Sequence, residues 1–141
     1  MPKIYIASDH AGFGLKSYLL EKFKTKNLID LGCDSADSVD YPDLAVKLCE
    51  KILPDSGDFG ILICGSGVGV SIMANRFKHI RAALCMDSQI AKLARQHNDA
   101  NVVCLGSRMI NQELAISIID AFLATKFEGG RHEARVAKLS Q

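Results

Sequence analysis

The stretch Ile61-Leu62-Ile63-Cys64-Gly65-Ser66-Gly67-Val68-Gly69-Val70-Ser71 decides how this chain is read. An apolar run stops at a cysteine, glycines follow at alternate positions, and an apolar segment resumes. That order describes a buried strand, a tight loop and a helix beginning at once. Glycine is required where a chain turns sharply or where another group must approach the backbone. A helix starting here aims its unpaired N–H groups and the positive end of its dipole at the loop. An anion, a developing oxyanion or a Cys64 thiolate would be stabilised at that point.

The same alternation continues in both directions. Residues 3–8 form an apolar, β-branched run that ends in Asp9-His10-Ala11-Gly12. Leu15, Tyr18, Leu19, Leu20 and Phe23 then recur at helical spacing, with Lys16, Glu21, Lys22 and Lys24 assigned to the polar face. Residues 28–31 read as a short strand, 34–40 as an acidic loop, and a helix is predicted from Tyr41-Pro42-Asp43 to about Leu53. Phe59–Cys64 is the third strand, and the helix after the glycine loop, about 69–77, is expected to turn Ile72 and Met73 inward. Residues 80–84 and 102–105 complete the strands. Between them a helix runs from Asp87 to His97-Asn98, with Asn98 suited to a left-handed cap. A long helix around Leu114–Leu123 and a short helical tail close the chain. Short, wholly apolar strands alternating with helices predict an α/β fold: a single-domain, doubly wound, Rossmann-like five-stranded parallel sheet with helices on both faces. One domain is expected over residues 1–141, with the tail from about 126 contributing to a site.

Bulk properties exclude several classes. The 141 residues are 48% hydrophobic and 23% charged, which fits a folded globular chain rather than a disordered one. A net charge of +1 gives no support to nucleic-acid or anionic-membrane binding. No apolar run has the length of a membrane span, and Ile4-Tyr5-Ile6-Ala7 is too short for a signal peptide, so a cytoplasmic location is expected. The five cysteines (33, 49, 64, 85 and 104) are odd in number and form no C-x-x-C pair. That argues against a disulfide framework or a cysteine zinc site. Cys49, Cys85 and Cys104 read as small buried hydrophobes, and Cys33 as inert.

In open parallel sheets, ligands bind beyond the carboxyl ends of the strands. There this chain places Ser8, Asp9 and His10, then Cys64 with its loop, then Asp87, then Ser107 and Arg108. The loop is not the dinucleotide motif G-x-G-x-x-G, whose spacing and position differ. It lacks the Lys-Ser/Thr ending of a Walker P-loop. It also has Val70 where the C-x5-R loop of a cysteine phosphatase needs arginine. What remains is a row of backbone donors with a thiol at its mouth. A thiolate there could act as nucleophile or as base, and a buried core cysteine is the plain alternative. His10 beside Asp9 is either a ligand pair or a turn histidine, and His79, among Arg76, Lys78 and Arg81, reads as a surface residue.

His97 is a geometric puzzle. The helix after the fourth strand returns toward the amino ends of the strands, which carries His97 away from its own rim. It is either a helix-end imidazole on the dipole or a group that reaches a neighbouring subunit's site, as a symmetric dimer would do twice. Arg131 and Arg135, four apart, share one face of a helical tail and could grip a phosphate. The alternative is a solvated basic tail.

Ser8-Asp9-His10-Ala11-Gly12, Asp40-Tyr41-Pro42, Cys64-Gly65-Ser66-Gly67-Val68-Gly69, Arg95-Gln96-His97-Asn98-Asp99, Gly106-Ser107-Arg108 and Glu128-Gly129-Gly130-Arg131-His132 together resemble the ribose-5-phosphate isomerase B family. That family also includes galactose-6-phosphate and allose-6-phosphate isomerases. The resemblance implies an aldose–ketose isomerase interconverting ribose 5-phosphate and ribulose 5-phosphate through a cis-enediolate, with no metal and no cofactor. It implies that His97 opens the sugar ring and that Cys64 moves the proton between C2 and C1. The amides of Gly65, Ser66, Gly67, Val68 and Gly69 would stabilise the enediolate. Asp9, Asn98 and Tyr41 would contact the sugar; His10, Arg108, Arg131 and Arg135 would hold the phosphate; and His132 is a further candidate. The family's sites are built from two subunits, so a homodimer is implied, with dimer or tetramer left open. One branch uses a glutamate base at the position of Val70; Val70 with Cys64 places this chain in the cysteine-using branch. A hexose-6-phosphate isomerase and a non-catalytic sugar-phosphate sensor are the competing readings.

Overall fold

The computed structural model describes residues 1–34 and 37–141; two positions of the acidic loop, 35 and 36, lie outside them. β1 (Ile4–Ser8), β2 (Ile29–Asp30), β3 (Phe59–Cys64), β4 (Ala82–Leu84) and β5 (Val102–Gly106) form one sheet in the order β2-β1-β3-β5-β4, and every pairing is parallel. The helices are α1 (Phe13–Lys22), α2 (Tyr41–Lys51), α3 (Val68–Ala74), α4 (Ser88–Asn98), α5 (Gln112–Ala124) and α6 (His132–Leu139).

The pleat of β3 shows why both faces are covered. Ile61 and Ile63 point to one side, where Leu15 and Leu19 of α1, Ala91 of α4 and Ile118, Ile119 and Phe122 of α5 pack on them. Leu62 and Cys64 point to the other, among Ala45 and Leu48 of α2 and Val70 and Ala74 of α3. Ile61, Leu62 and Ile63 are completely buried, each worth roughly 1.5–3 kcal/mol against exposure. This is the doubly wound α/β fold expected. The chain leaves β1 by α1 on one face and reaches β3 from α2 on the other, so the winding reverses between β1 and β3. A crevice opens there, at their carboxyl ends.

Five expectations are corrected. Ile72 is 55% exposed: α3 turns Val70 and Ala74, one turn apart, toward the core, and a residue two positions on from Val70 lies about 200° around the helix. Lys16 is buried rather than on a polar face, its Nζ 2.7 Å from Asp30 Oδ1. The left-handed cap of α4 is Asp99 (φ 48°), not Asn98, which stays in the last helical turn. Asp99 is held there because Arg95 and Arg81 both pair with its carboxylate and Arg81 Nε also donates to its carbonyl. His79 is half-buried, its Nε2 donating to the Cys49 carbonyl near the end of α2 (3.0 Å). β2 is also shorter than predicted, since only Ile29 and Asp30 pair with β1.

Candidate active site

Cys64 is the last residue of β3, and its side chain ends in the crevice beside β1. The Gly67 N–H donates to Cys64 Sγ at 3.2 Å, so the loop folds back over the sulfur. That fold requires glycine at 67. Its φ is +79°, and a Cβ there would come within 2.5 Å of Leu84 Cδ1 and 2.9 Å of the Leu105 carbonyl carbon. The loop is braced from β5 as well: Ser107 N–H donates to the Cys64 carbonyl (2.9 Å) and Arg108 N–H to the Gly65 carbonyl (3.0 Å). Ser107 Oγ donates to the Ala11 carbonyl (2.8 Å), tying the exits of β1 and β5 together.

An open-sided cavity of about 530 Å³ lies over this loop, lined by Asp9, Tyr41, Cys64, Gly65, Ser66, Val68, Gly69, Ile72, Arg108 and Met109. Asp9 is buried, and its Oδ1 accepts the Gly12 N–H that caps a short 3-10 turn at His10–Gly12. His10 opens that turn. Its Nδ1 accepts the Val39 N–H at 3.3 Å, which leaves Nε2 carrying the proton in the neutral ring. The Arg108 guanidinium sits over Gly65, with Nη1 3.0 Å from where a Cβ would stand. Two loop amides already have partners, since Gly67 serves Cys64 and the Val68 N–H donates to Ser66 Oγ (3.2 Å).

The cysteines divide by environment. Burial, helped by the nearby charges of Glu50 and Asp87 respectively, pushes the Cys49 and Cys85 thiols up to about 12. Burial raises Cys104 well above the ordinary value too. All three are protonated at neutral pH and are core residues, as expected. Cys64 alone combines a place on the cavity wall with an amide hydrogen bond to its sulfur.

The other candidates gather elsewhere. α4 starts beyond the carboxyl end of β4 and runs back, and the carbonyl of its cap residue Asp99 accepts from Arg81 Nε, on the residue just before β4. His97 therefore sits toward the amino ends of the strands, as the topology predicts. The imidazoles of His97 and His132 stack there, centroids 4.4 Å apart and 15° from parallel. Glu128 Oε1 is 3.8 Å from His97 Nε2 and 3.7 Å from His132 Nε2. Burial and the charges of His97 and Arg131 lower the His132 pKa below its ordinary value, which keeps that ring neutral. Asn98 ends the same helix, and Arg131 and Arg135 flank His132 on α6. Within one chain, then, Cys64, Asp9, Tyr41, Arg108 and the loop share a cavity, with His10 beside it. His97, Asn98, Arg131, His132 and Arg135 form a second group away from it.

Met109 and Ile72 line the cavity, and neither is among the site residues read from the sequence. Met109 follows Arg108 in the turn after β5 and carried no pattern. Ile72 had been assigned to the core. Glu128 stood in a quoted motif without a role, and only the fold shows it between two imidazoles. No helix among the described residues is long and apolar enough to cross a membrane.

A sequence model of the ribose/galactose isomerase family matches residues 4–139. A probable ribose-5-phosphate isomerase B of Mycoplasma pneumoniae is 51% identical over 139 residues, covering 96% of this chain and 91% of the relative. The crystal structure of a ribose 5-phosphate isomerase from Thermotoga maritima matches with a TM-score of 0.94 at 51% identity, over 99% of this chain and 97% of that one. Ribose-5-phosphate isomerase B from Mycoplasma genitalium, solved with bound ribulose-5-phosphate, matches with a TM-score of 0.88 at 47% identity, over 98% and 93% of the two chains.

Proposed function

The chain belongs to the ribose/galactose isomerase family, and on that premise we propose that it interconverts ribose 5-phosphate and ribulose 5-phosphate, with Cys64 as the proton-transfer base. The observation that carries this reading is the Cys64 sulfur on the cavity wall, under the Gly67 amide and beside Asp9. The relative that holds ribulose-5-phosphate supports the substrate class.

The steps follow from the chemistry of an aldose. His97 of a second copy of this chain opens the ring as acid and base, giving a proton to the ring oxygen and taking up the O1 proton, so that the imidazole ends in the protonation state in which it began. The Cys64 thiolate then takes the proton from C2, and the electron pair moves onto O1 to give a cis-enediolate. The amides of the loop not already engaged, those of Gly65, Ser66 and Gly69, face the developing negative charge, and Asp9 and Tyr41 hold the sugar hydroxyls. The O2 proton passes to O1, the sulfur returns its proton to C1, and C2 becomes the ketone. Nothing is oxidised or reduced overall. Arg108 and His10 on one chain, with Arg131 and Arg135 of the other, bind the phosphate, and Asn98 contacts the sugar beside His97.

A shared site accounts for the division of the candidates into two groups: each half lacks what the other supplies. It makes the working unit a homodimer that acts on a small sugar phosphate, and with that activity goes the proposal of a cytoplasmic enzyme.

The family's description also covers galactose, so a hexose 6-phosphate is the competing substrate. Comparing kcat/KM on ribose 5-phosphate, allose 6-phosphate and galactose 6-phosphate decides between them, with the pentose expected to lead by at least about tenfold, the discrimination that one extra carbon gives in a fitted pocket. A lead for either hexose overturns the substrate assignment. Saturable binding with no conversion of the aldose phosphate to the ketose phosphate overturns the enzyme reading altogether.

A further inference from the structure

We propose that His97, Glu128 and His132 form a binding site for a divalent d-block cation of the zinc class, separate from the Cys64 cavity of the same chain. The three side chains come from three places that the fold locks together. His97 is in the last turn of α4. Glu128 is held against that helix by its own N–H, which donates to the Gln96 carbonyl at 3.0 Å. Gly129 and Gly130, both at positive φ, then turn the chain so that His132 starts α6 directly above Glu128.

One ligand atom from each residue lies within 4.8 Å of the other two. A tetrahedral zinc ion with bonds of about 2.1 Å needs its ligands about 3.4 Å apart. The two measured nitrogen–oxygen separations, 3.8 and 3.7 Å, approach that spacing. The two rings are stacked, so the site requires each imidazole to turn about its Cβ–Cγ bond until both nitrogens aim at one ion. Two imidazoles and one carboxylate suit zinc, cobalt or nickel and do not suit magnesium or calcium, which demand oxygen. The charges of Arg131 and Arg135 oppose a cation here, and they draw an anion or hydroxide into the open fourth position.

A metal on His97 Nε2 occupies the lone pair that proton transfer uses, so the occupied site arrests ring opening. That consequence rests on the reading of His97 given above; the binding does not.

The test is a Co2+ titration of the full-length protein followed by visible absorption, with Zn2+ as competitor. Wild type is compared with Glu128→Gln, His132→Gln and a His79→Gln control, with circular dichroism confirming that each variant is folded. The site predicts one Co2+ per chain, affinity weakened by about tenfold or more in the first two variants, and no change in the control. Equal affinity in all four proteins overturns the proposal. So does an intense sulfur-to-cobalt band, which would put the metal on a thiolate. Turnover of cyclic ribose 5-phosphate is then measured against Zn2+ concentration. Inhibition that tracks occupancy, and weakens in Glu128→Gln, supports the arrest. Occupancy of the trio without inhibition leaves the metal site standing and removes His97 from ring opening.

Discussion

The Gly67 amide and the Cys64 sulfur form one unit: the N–H that donates to Sγ at 3.2 Å belongs to the residue whose left-handed conformation turns the chain into α3. Any base at this position is therefore oriented by the same loop that is proposed to bind the intermediate. Cys64→Ala removes the base and little else. kcat should fall by about 10³-fold or more, while KM stays close to wild type and the melting temperature drops only modestly, because the buried side chain that is lost is small and borders the cavity. Turnover within tenfold of wild type would show that another group moves the proton.

The two groups of candidate residues predict complementation between subunits. Neither Cys64→Ala nor His97→Asn should isomerise the cyclic sugar at a useful rate. In a mixed dimer one site carries both substitutions and the other carries neither. Random exchange after unfolding and refolding an equal mixture should restore about a quarter of wild-type activity, since half of the dimers are mixed and each has one intact site. Failure to restore any activity, with exchange verified by a tag, places Cys64 and His97 in the same chain's site. His97→Asn alone should be less impaired on an open-chain analogue than on the cyclic sugar.

The fold was legible because burial on both faces leaves its mark on short strands: Phe59–Cys64 and Val102–Gly106 are apolar almost throughout, and glycine or a polar turn ends each. The Cys64 half of the site followed, since parallel strands deliver their last residues to one rim. Ile72 misled because apolar residues at the end of a seven-residue helix fit more than one face. Lys16 misled because its charge is satisfied by Asp30, fourteen residues away, and the helical spacing around Lys16 carries no sign of that partner. The pairing of His97 with His132 and Glu128 could not be read at all, because it depends on where α6 lies against α4 and no local pattern encodes that.

Lys16 gives a direct stability prediction. Its ammonium is fully buried, while Asp30 keeps about a third of its surface exposed and also accepts the Gly32 N–H. Lys16→Ala leaves a void and strands a half-buried carboxylate, and it should cost about 2–4 kcal/mol in urea unfolding. Lys16→Met keeps the volume and should cost less, since the charge it removes paid a desolvation penalty. Equal losses for both variants would show that the ion pair, rather than the packing, dominates.

Alkaline stability should be set by the core thiols. Cys49 and Cys85 are raised from 9.0 to about 12 on folding, by burial first and by Glu50 and Asp87 second. A raised pKa means that between these values the unfolded chain has lost protons that the folded one keeps. Their stabilising contribution is therefore intact below pH 9 and declines as pH rises toward 12. The urea midpoint should fall across that window, and fall less steeply in Cys85→Ala, even though that variant starts lower at neutral pH because a buried sulfur is missing. Parallel pH profiles for the two proteins would refute the assignment.

Tyr41 and Gly69 offer a substitution that separates binding from folding. Gly69 is the second residue of α3, so alanine there should be neutral or stabilise the helix by up to about 1 kcal/mol. The added Cβ would, however, stand 2.5 Å from Tyr41 Cε1 and 2.6 Å from Cζ. Tyr41 is 40% exposed and free to swing outward, so the phenol yields rather than the helix. Gly69→Ala should then keep or raise the melting temperature while KM for ribose 5-phosphate rises about 3- to 10-fold, the worth of one lost hydrogen bond to the sugar. Tyr41→Phe should give a similar rise without moving the backbone. If both variants bind substrate as wild type does, Tyr41 walls the cavity without touching the sugar. A loss of stability in Gly69→Ala would instead mean that Tyr41 is held in place more firmly than its exposure indicates.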